Sequence, residues 1–197
     1  MVGLYTGYKC TLCGKIYTVK DFPVDSQVTT CPECGEKGIL DILYDYQEVK
    51  EYLNKDYLAE NKNESIWRYI HLLPVKGIPE PDLLEVGWTP LYKSSRLGEY
   101  LGVKDLYIKD DGLNPTGSMK DRASIIAVAK ALEEKLPTIC CSSTGNAASS
   151  LAGNAAKAGL ETLIFVPERV PDGKLAQLIM YGSNVVKVQG DYKKAYD

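Results

Sequence analysis

The spacing of apolar residues changes along the chain and separates segments of different predicted structure. Residues 47–60 carry Val49, Leu53, Tyr57 and Leu58 at near-helical spacing, and residues 46–75 as a whole have a helical pattern. Residues 65–73 predict a short helix that ends because Pro74 follows. From Gly87 onward, short apolar runs typical of strands alternate with stretches of helical periodicity.

This alternation predicts the fold class. The predicted strands cover residues 106–109, 138–141, 162–166 and 184–188. The predicted helices cover residues 94–101, 118–137, 147–158 and 173–181. Strands that alternate with helices indicate a parallel sheet with right-handed crossovers. We therefore predict an α/β protein with an αβα domain over residues 87–197, a helical linker region over 46–86 and a small module over 1–45.

One predicted turn places a lysine at the start of a helix. Asn114-Pro115 and Thr116-Gly117 are turn-forming pairs, and Ser118 with Asp121 resembles a capping box, which makes Lys120 the second helical residue. A helix N-terminus disfavours a cation and so favours the neutral amine that Schiff-base chemistry needs. From spacing alone, a solvated lysine beside a helix cap is the ordinary alternative.

The same turn excludes a nucleotide P-loop. Gly112 and Gly117 have the spacing of that motif, which continues with Lys and then Ser or Thr. Ser118 and Met119 stand in those two places, so the lysine comes two positions too late. Phosphate-loop ATPase chemistry is therefore excluded.

A second loop follows the predicted strand 138–141, in the place where α/β proteins bind ligands. Hydroxyl groups and backbone N–H groups at a helix start suit a carboxylate or a phosphate. The Asn146 amide can pair with a phenolic or carbonyl oxygen. An ordinary helix cap is the alternative interpretation of this loop. The residues concerned are Ser143, Thr144, Gly145, Asn146 and Ala147.

Two C-x2-C pairs in the first module predict a metal site. Each pair lets two thiolates reach one ion, and two pairs complete a tetrahedral site with no open position, so the ion is structural. Zinc is the first choice and iron the alternative, since four-sulfur sites suit both. The pattern resembles a zinc ribbon with strands near residues 8–10, 15–19 and 39–43. The predicted ligands are Cys10, Cys13, Cys31 and Cys34. Cys140 and Cys141 are predicted to lie in the core.

Composition narrows the function classes. The chain has 197 residues, of which 45% are hydrophobic and 25% charged, with a net charge of −3. Without a basic block, nucleic acid is not an expected partner. No apolar run approaches the roughly 18 residues of a membrane span, and Met1–Tyr5 does not begin a signal peptide, so we expect no membrane partner and a cytoplasmic location.

The two loops together resemble the signature of fold-type II pyridoxal-phosphate enzymes, and within that group the chain resembles threonine synthases. Residues 87–91, residues 109–112 and the paired cysteines add to the resemblance. Met119 stands where the family usually has Phe, and a flexible apolar side chain is a tolerable replacement.

The resemblance implies a role for each loop. Lys120 would form the Schiff base with pyridoxal phosphate and move protons at the substrate, and Asn146 would hydrogen-bond the cofactor's ring oxygen. The backbone and side chains of Ser143, Thr144, Gly145 and Ala147 would receive the substrate's α-carboxylate. The implied reaction converts O-phosphohomoserine and water to threonine and phosphate, and a homodimer is the implied assembly.

The family's glycine-rich phosphate loop and its partner for the pyridine nitrogen come later in the chain, and nothing here matches them. We therefore expect an N-terminal fragment without the second, large domain, which binds the cofactor weakly and does not turn over alone. A cysteate synthase or an amino-acid dehydratase would share both loops. A non-catalytic interaction module, with a metal ribbon fused to an αβ scaffold, is the alternative from another class.

Overall fold

A computed structural model describes residues 3–22, 30–80 and 83–196. The chain forms two compact units. The first comprises Met1–Asn63 and Trp67–Ile78, and the second comprises Glu64–Ile66 and Pro79–Asp197. No helix of the described residues is long and apolar enough to cross a membrane. The division of the chain at residues 45 and 86 stays a prediction.

The first unit opens with a three-stranded antiparallel sheet in the order β2-β1-β3, and the predicted strands of the ribbon are confirmed. The strands are β1 (Tyr5–Cys10), β2 (Ile16–Thr18) and β3 (Leu40–Tyr44). β1 and β2 approach closely at Gly7, where a Cβ atom would lie 2.2 Å from the Tyr17 carbonyl oxygen. Residues 23–29, which precede the second cysteine pair in the sequence, lie outside the described residues.

The helical pattern of residues 47–60 gives two short helices, not one. These are α1 (Tyr46–Tyr52) and α2 (Lys55–Glu60). The break occurs because Asn54 caps α2, with its side-chain oxygen accepting a hydrogen bond from the Tyr57 amide at 2.9 Å. The predicted helix before Pro74 is a 3-10 helix, Ile66–Leu72.

The second unit begins with an antiparallel pair of short strands that flank one helix. β4 (Leu91–Lys93) pairs with β5 (Tyr107–Lys109), and α3 (Ser95–Leu101) lies between them in the chain. Counting the strand at 106–109 with the parallel sheet was therefore wrong. Both strands are exposed at every position and have three residues each, so neither provides the buried face of a central strand.

The remaining strands form the predicted parallel sheet, in the order β6-β7-β8, and the α/β class is confirmed. The strands are β6 (Thr138–Ser142), β7 (Glu161–Pro167) and β8 (Asn184–Val188). The helices of this region are α4 (Asp121–Glu133), α5 (Asn146–Ala158), α6 (Asp172–Met180) and α7 (Tyr192–Tyr196).

The core of the second unit lies between α5 and the central strand β7. Ile164 and Val166 of β7 are fully buried, and they cluster with apolar residues of α5. β6 has one described neighbour, β7, and is only partly covered, so the prediction of a buried strand was wrong. Cys140 is exposed and not a core residue, whereas Cys141 packs against the core cluster.

Candidate active site and metal centre

The buried side chain of Asn114 holds the turn that precedes α4. Its Oδ1 accepts a hydrogen bond from the Gly87 amide at 3.0 Å, and its Nδ2 donates to the Asp111 carbonyl at 2.9 Å. The Gly117 amide closes the turn by donating to the Asn114 carbonyl at 2.8 Å. Gly117 has φ +83°, in the left-handed region that glycine adopts without strain. The predicted turn is therefore confirmed.

Lys120 lies immediately before α4, and its side chain is exposed. The prediction that it is the second helical residue was wrong, because the helix begins at Asp121. The Ser118 hydroxyl accepts a hydrogen bond from the Lys120 amide at 3.3 Å, whereas the Asp121 carboxylate binds Thr116. The side chains of Ser118 and Asp121 therefore do not form the predicted capping box. Lys120 is still the residue at the positive end of α4, as its N-cap.

An ion pair joins the two sides of the lysine turn, which we define as residues 114–120. It links Arg122 in the first turn of α4 to Asp111, which also binds the segment that begins at Gly87. Arg122 donates from Nε and Nη2 to the two carboxylate oxygens of Asp111, each at 2.8 Å, and the buried Thr89 hydroxyl donates to the same carboxylate at 2.7 Å. The hydrogen bonds from Arg122, and then from Thr89, hold the pKa of Asp111 well below its usual range. Sequence reasoning missed this pairing, since nothing in the local pattern links positions 111 and 122.

The second predicted loop connects β6 to α5. Gly145 is the N-cap of α5, and its amide donates to the Ser143 hydroxyl at 3.2 Å. Asn146 is exposed, while Ser143 and Thr144 are half-buried. A Cβ atom at Gly145 would meet no atom within 4 Å, so the space beside this helix start is open. An open helix start with free N–H groups suits an anion.

The structure places both loops at helix starts within one unit. Asp121, the first residue of α4, accepts a hydrogen bond from Ser150 of α5 at 2.7 Å. Ser150 follows Asn146 by four residues, which is about 6 Å along the helix axis. The start of α4, which follows Lys120, is thus hydrogen-bonded to α5 about one turn from Asn146, and the side chains of Lys120 and Asn146 are both exposed. An amine, an amide and a helix start are the groups that a pyridoxal phosphate and a carboxylate substrate need.

A cavity of about 800 Å³ lies in the same unit and is lined by α4, β6 and α7. Ala147 of the second loop contributes to its wall, and so do Cys140 and Ser142. Lys120 and Asn146 do not line it, so the cavity and the predicted cofactor contacts do not coincide.

The two cysteine pairs of the first unit converge on one point. All four sulfur atoms lie within 4.8 Å of one another, and those of Cys13 and Cys31 are 3.8 Å apart. Four thiolates at the usual zinc–sulfur distance would be about 3.8 Å apart in a tetrahedron, so the donor set fits this ion. Gly14 and Gly35 follow the two cysteine pairs at φ +75° and +60°, in the left-handed region that glycine adopts without strain.

Two residues that sequence reasoning missed support the cysteines. The Tyr17 hydroxyl is buried and lies 3.1 Å from the Cys31 sulfur. This hydrogen bond is the largest of the effects that lower the pKa of the Cys31 thiol to about 6, and it favours the thiolate that a metal binds. A Cβ atom at Gly38 would lie 2.6 Å from Cys31 Cβ and 2.7 Å from Cys34 Cβ, so only glycine fits there.

Comparisons with known proteins identify relatives of this chain. The chain is 41% identical over 190 residues to the threonine synthase of Methanocaldococcus jannaschii, which covers 96% of this chain and 45% of that protein. It is also 41% identical over 188 residues to the threonine synthase of Methanosarcina acetivorans, covering 95% of this chain and 44% of that protein. The chain therefore spans less than half the length of these relatives.

Solved structures agree in fold. The serine racemase of Dictyostelium discoideum superposes with a TM-score of 0.51 and 30% identity, over 55% of this chain and 35% of that one. The processed form of threonine deaminase isoform 2 from Solanum lycopersicum gives 0.55 with 21% identity, over 77% of this chain and 36% of that one, which shows the fold alone. The family model described as pyridoxal-phosphate dependent enzyme matches residues 83–197. Since this match covers more than half of the chain, the chain belongs to the pyridoxal-phosphate dependent enzyme family.

Proposed function

We propose that the chain is the part of a threonine synthase that carries the active-site lysine. The whole protein would convert O-phosphohomoserine and water to threonine and phosphate. The observation that carries this proposal is the 41% identity to the threonine synthase of Methanocaldococcus jannaschii over 96% of this chain. A match of that extent spans both cysteine pairs and both loops of the candidate site.

Each loop has a task in this proposal. Lys120 holds the cofactor through its amine and moves protons at the substrate's carbon atoms once that amine is released. The Asn146 amide orients the cofactor ring by donating to its oxygen. The start of α5, with Ser143, Thr144, Gly145 and Ala147, binds the substrate's α-carboxylate. When bound, the cofactor supplies the electron sink for the reaction.

The attachment site is tested by reduction with borohydride. We expect the chain incubated with pyridoxal phosphate and then reduced to carry one pyridoxyl group, which peptide mass analysis finds on Lys120. Lys120→Ala should lose this modification, whereas Lys157→Ala, which removes a lysine near the end of α5, should keep it. A modification spread over many lysines, or none, would count against the enzyme and favour a non-catalytic interaction module.

The substrate is tested by competition with this reaction. A substrate amine that took the place of the lysine amine would protect Lys120 from reductive labelling. We expect O-phosphohomoserine to protect Lys120 more strongly than homoserine at the same concentration, because the two differ only in the phosphate group. Stronger protection by threonine would favour the amino-acid dehydratase.

The other parts of the proposal concern the metal, the assembly and the location. We propose that the four cysteines hold one structural zinc ion, with iron as the alternative. The homodimer, the cytoplasmic location and the absence of turnover by this chain alone stay predictions. Phosphate release from O-phosphohomoserine by the chain loaded with cofactor would contradict the last of these.

A further inference from the structure

A fully buried carboxylate follows the candidate active-site lysine directly. Asp121 has no exposed surface and accepts four hydrogen bonds. Its oxygens accept from the Thr116 amide at 2.8 Å, the Thr116 hydroxyl at 2.7 Å, the Ser150 hydroxyl at 2.7 Å and the Asn154 amide nitrogen at 2.9 Å. Oδ1 accepts three of these bonds and Oδ2 accepts one, so both oxygens of the carboxylate have partners.

All four donors are neutral groups, and no ion pair of Asp121 occurs among the described residues. Burying a charge without a counter-ion is costly, and a buried apolar residue would join two helices at lower cost. Asp121 instead uses its fixed acceptor geometry to hold three partners at set distances. Its position as the first residue of α4 also places the negative charge at the positive end of that helix.

The partners of Asp121 belong to two different elements. Thr116 lies in the lysine turn, four residues before Lys120, while Ser150 and Asn154 lie on α5. The turn also packs directly against α5 at Gly153. A Cβ atom added at Gly153 would lie only 2.7 Å from Thr116 Cγ2. The hydrogen bonds of Asp121 thus hold the turn against the helix that begins at Asn146, and the absence of a side chain at Gly153 leaves room for Thr116 there.

We propose that Asp121 is a positioning residue, which locks the Thr116–Lys120 turn onto α5 and so fixes the Lys120 amine relative to Asn146. This proposal rests on the proposed function of Lys120, since its purpose is the placement of that amine. Asp121 itself touches neither cofactor nor substrate.

The test compares two serines of α5. Ser150 donates to Asp121, whereas its neighbour Ser149 donates to Gln177 at 2.9 Å. Ser150→Ala and Ser149→Ala remove the same atom from the same helix, so they form a matched pair. Asp121→Asn is the stronger variant, because its amide nitrogen meets a site that is lined with donors.

The first measurement is amide hydrogen exchange of the chain without cofactor. The Thr116 amide reports directly, because it donates to Asp121. We expect Asp121→Asn to exchange this amide about tenfold faster and Ser150→Ala a few-fold faster, while Ser149→Ala matches the parent. The amides of β7 serve as the reference, since a general loss of stability would accelerate them equally.

The second measurement is the cofactor concentration needed for half-maximal labelling of Lys120 under borohydride. We expect this concentration to rise about tenfold in Asp121→Asn. We also expect Ser150→Ala to need more cofactor than Ser149→Ala, because only Ser150 donates to Asp121. If the parent chain is not labelled, the proposed function of Lys120 fails, and exchange at Thr116 alone decides the locking role. Unchanged exchange at Thr116 in both Asp121→Asn and Ser150→Ala would overturn the proposal. Should Asp121→Asn fail to fold, the serine pair decides.

Discussion

The cysteine module and the lysine site are both visible as motifs in the sequence, but they are built in opposite ways. In the module, two of the predicted ligand residues, Cys10 and Cys31, are buried, Cys34 is half-buried and Cys13 is exposed, and all four sulfurs lie close together. In the lysine site, the side chains of Lys120 and Asn146, which we propose to meet the cofactor, are exposed, and the buried residues Asn114 and Asp121 hold the surrounding backbone. A group that holds one ion permanently can be part of the core, whereas a group that reacts must be reachable and is placed by a rigid surround.

Removing the metal should produce the largest difference between the two regions. We expect Cys31→Ser to lose the bound ion and the amide protection of β1 to β3, while the β7 amides of the second unit keep theirs. Structural zinc contributes about 10–16 kcal/mol of apparent binding free energy in small domains, which strands as short as these cannot replace. Metal analysis and hydrogen exchange on the same sample measure both effects.

The control for this variant is Cys140→Ser, which changes an exposed cysteine that is not among the four converging ones. It should keep one metal ion per chain. A full complement of metal in Cys31→Ser would contradict the four-cysteine site, and one iron ion per chain in the parent would replace zinc with the alternative.

The same contrast explains which elements the sequence could predict. The three ribbon strands follow from the resemblance of the cysteine pairs to a zinc ribbon, and the parallel strands β6 to β8 follow from local apolar runs and turn residues. The break between α1 and α2 was missed, because the capping of α2 by Asn54 competes with an apolar pattern that continues across it. The antiparallel pairing of β4 with β5 was missed because periodicity describes each strand alone and not its partner.

The functional residues also divide into those that the sequence predicts and those that it does not. The positions of Cys10, Cys13, Cys31 and Cys34 follow from spacing, since each pair closes within one turn. The support of Lys120 depends on partners up to 33 residues away, as in the bond from Asn154 to Asp121. A single sequence carries no signal for such pairs. The start of α4 was predicted too early for the same reason, because the side chain of Asp121 accepts hydrogen bonds from Thr116 and from α5 and not from Ser118.

Substitution of Tyr17 tests whether a hydrogen bond to a cysteine sulfur contributes to metal affinity, with a smaller expected effect than loss of the cysteine itself. We expect Tyr17→Phe to weaken metal affinity about tenfold, because the hydrogen bond at 3.1 Å to the Cys31 sulfur is lost while the ring stays packed. Competition with a chelating dye at fixed pH measures the affinity. Tyr44→Phe, in β3 of the same module, is the control and should leave the affinity unchanged. Equal affinities for all three proteins would show that the cysteines alone determine binding.

The ion pair of Asp111 with Arg122 tests the surround of the lysine site, with the smallest expected effect. Asp111→Asn should lower the free energy of unfolding by about 1 kcal/mol at neutral pH, since the pair is bidentate but its side chains are still 26% and 34% exposed. Asp105→Asn is the control, because the pair of Asp105 with Lys93 is 59% and 52% exposed and should contribute almost nothing.

The pH dependence of the unfolding free energy separates the contribution of the Asp111 charge from that of its shape and neutral hydrogen bonds. Folding lowers the pKa of Asp111, so the unfolded chain binds more protons in acid than the folded chain does. The stabilisation by Asp111 is therefore complete above the ordinary carboxyl pKa of about 3.9. It is lost as the pH falls from there through the lower pKa of the folded chain. In urea titrations, the difference between the parent and Asp111→Asn should therefore be constant from pH 7 to about pH 5 and shrink below pH 4. Loss of metal in acid affects both proteins alike and cancels in the difference. A difference that stays constant down to pH 3 would mean that Asp111 supports the turn through its shape and its neutral hydrogen bonds, and that charge is not part of how the lysine site is held.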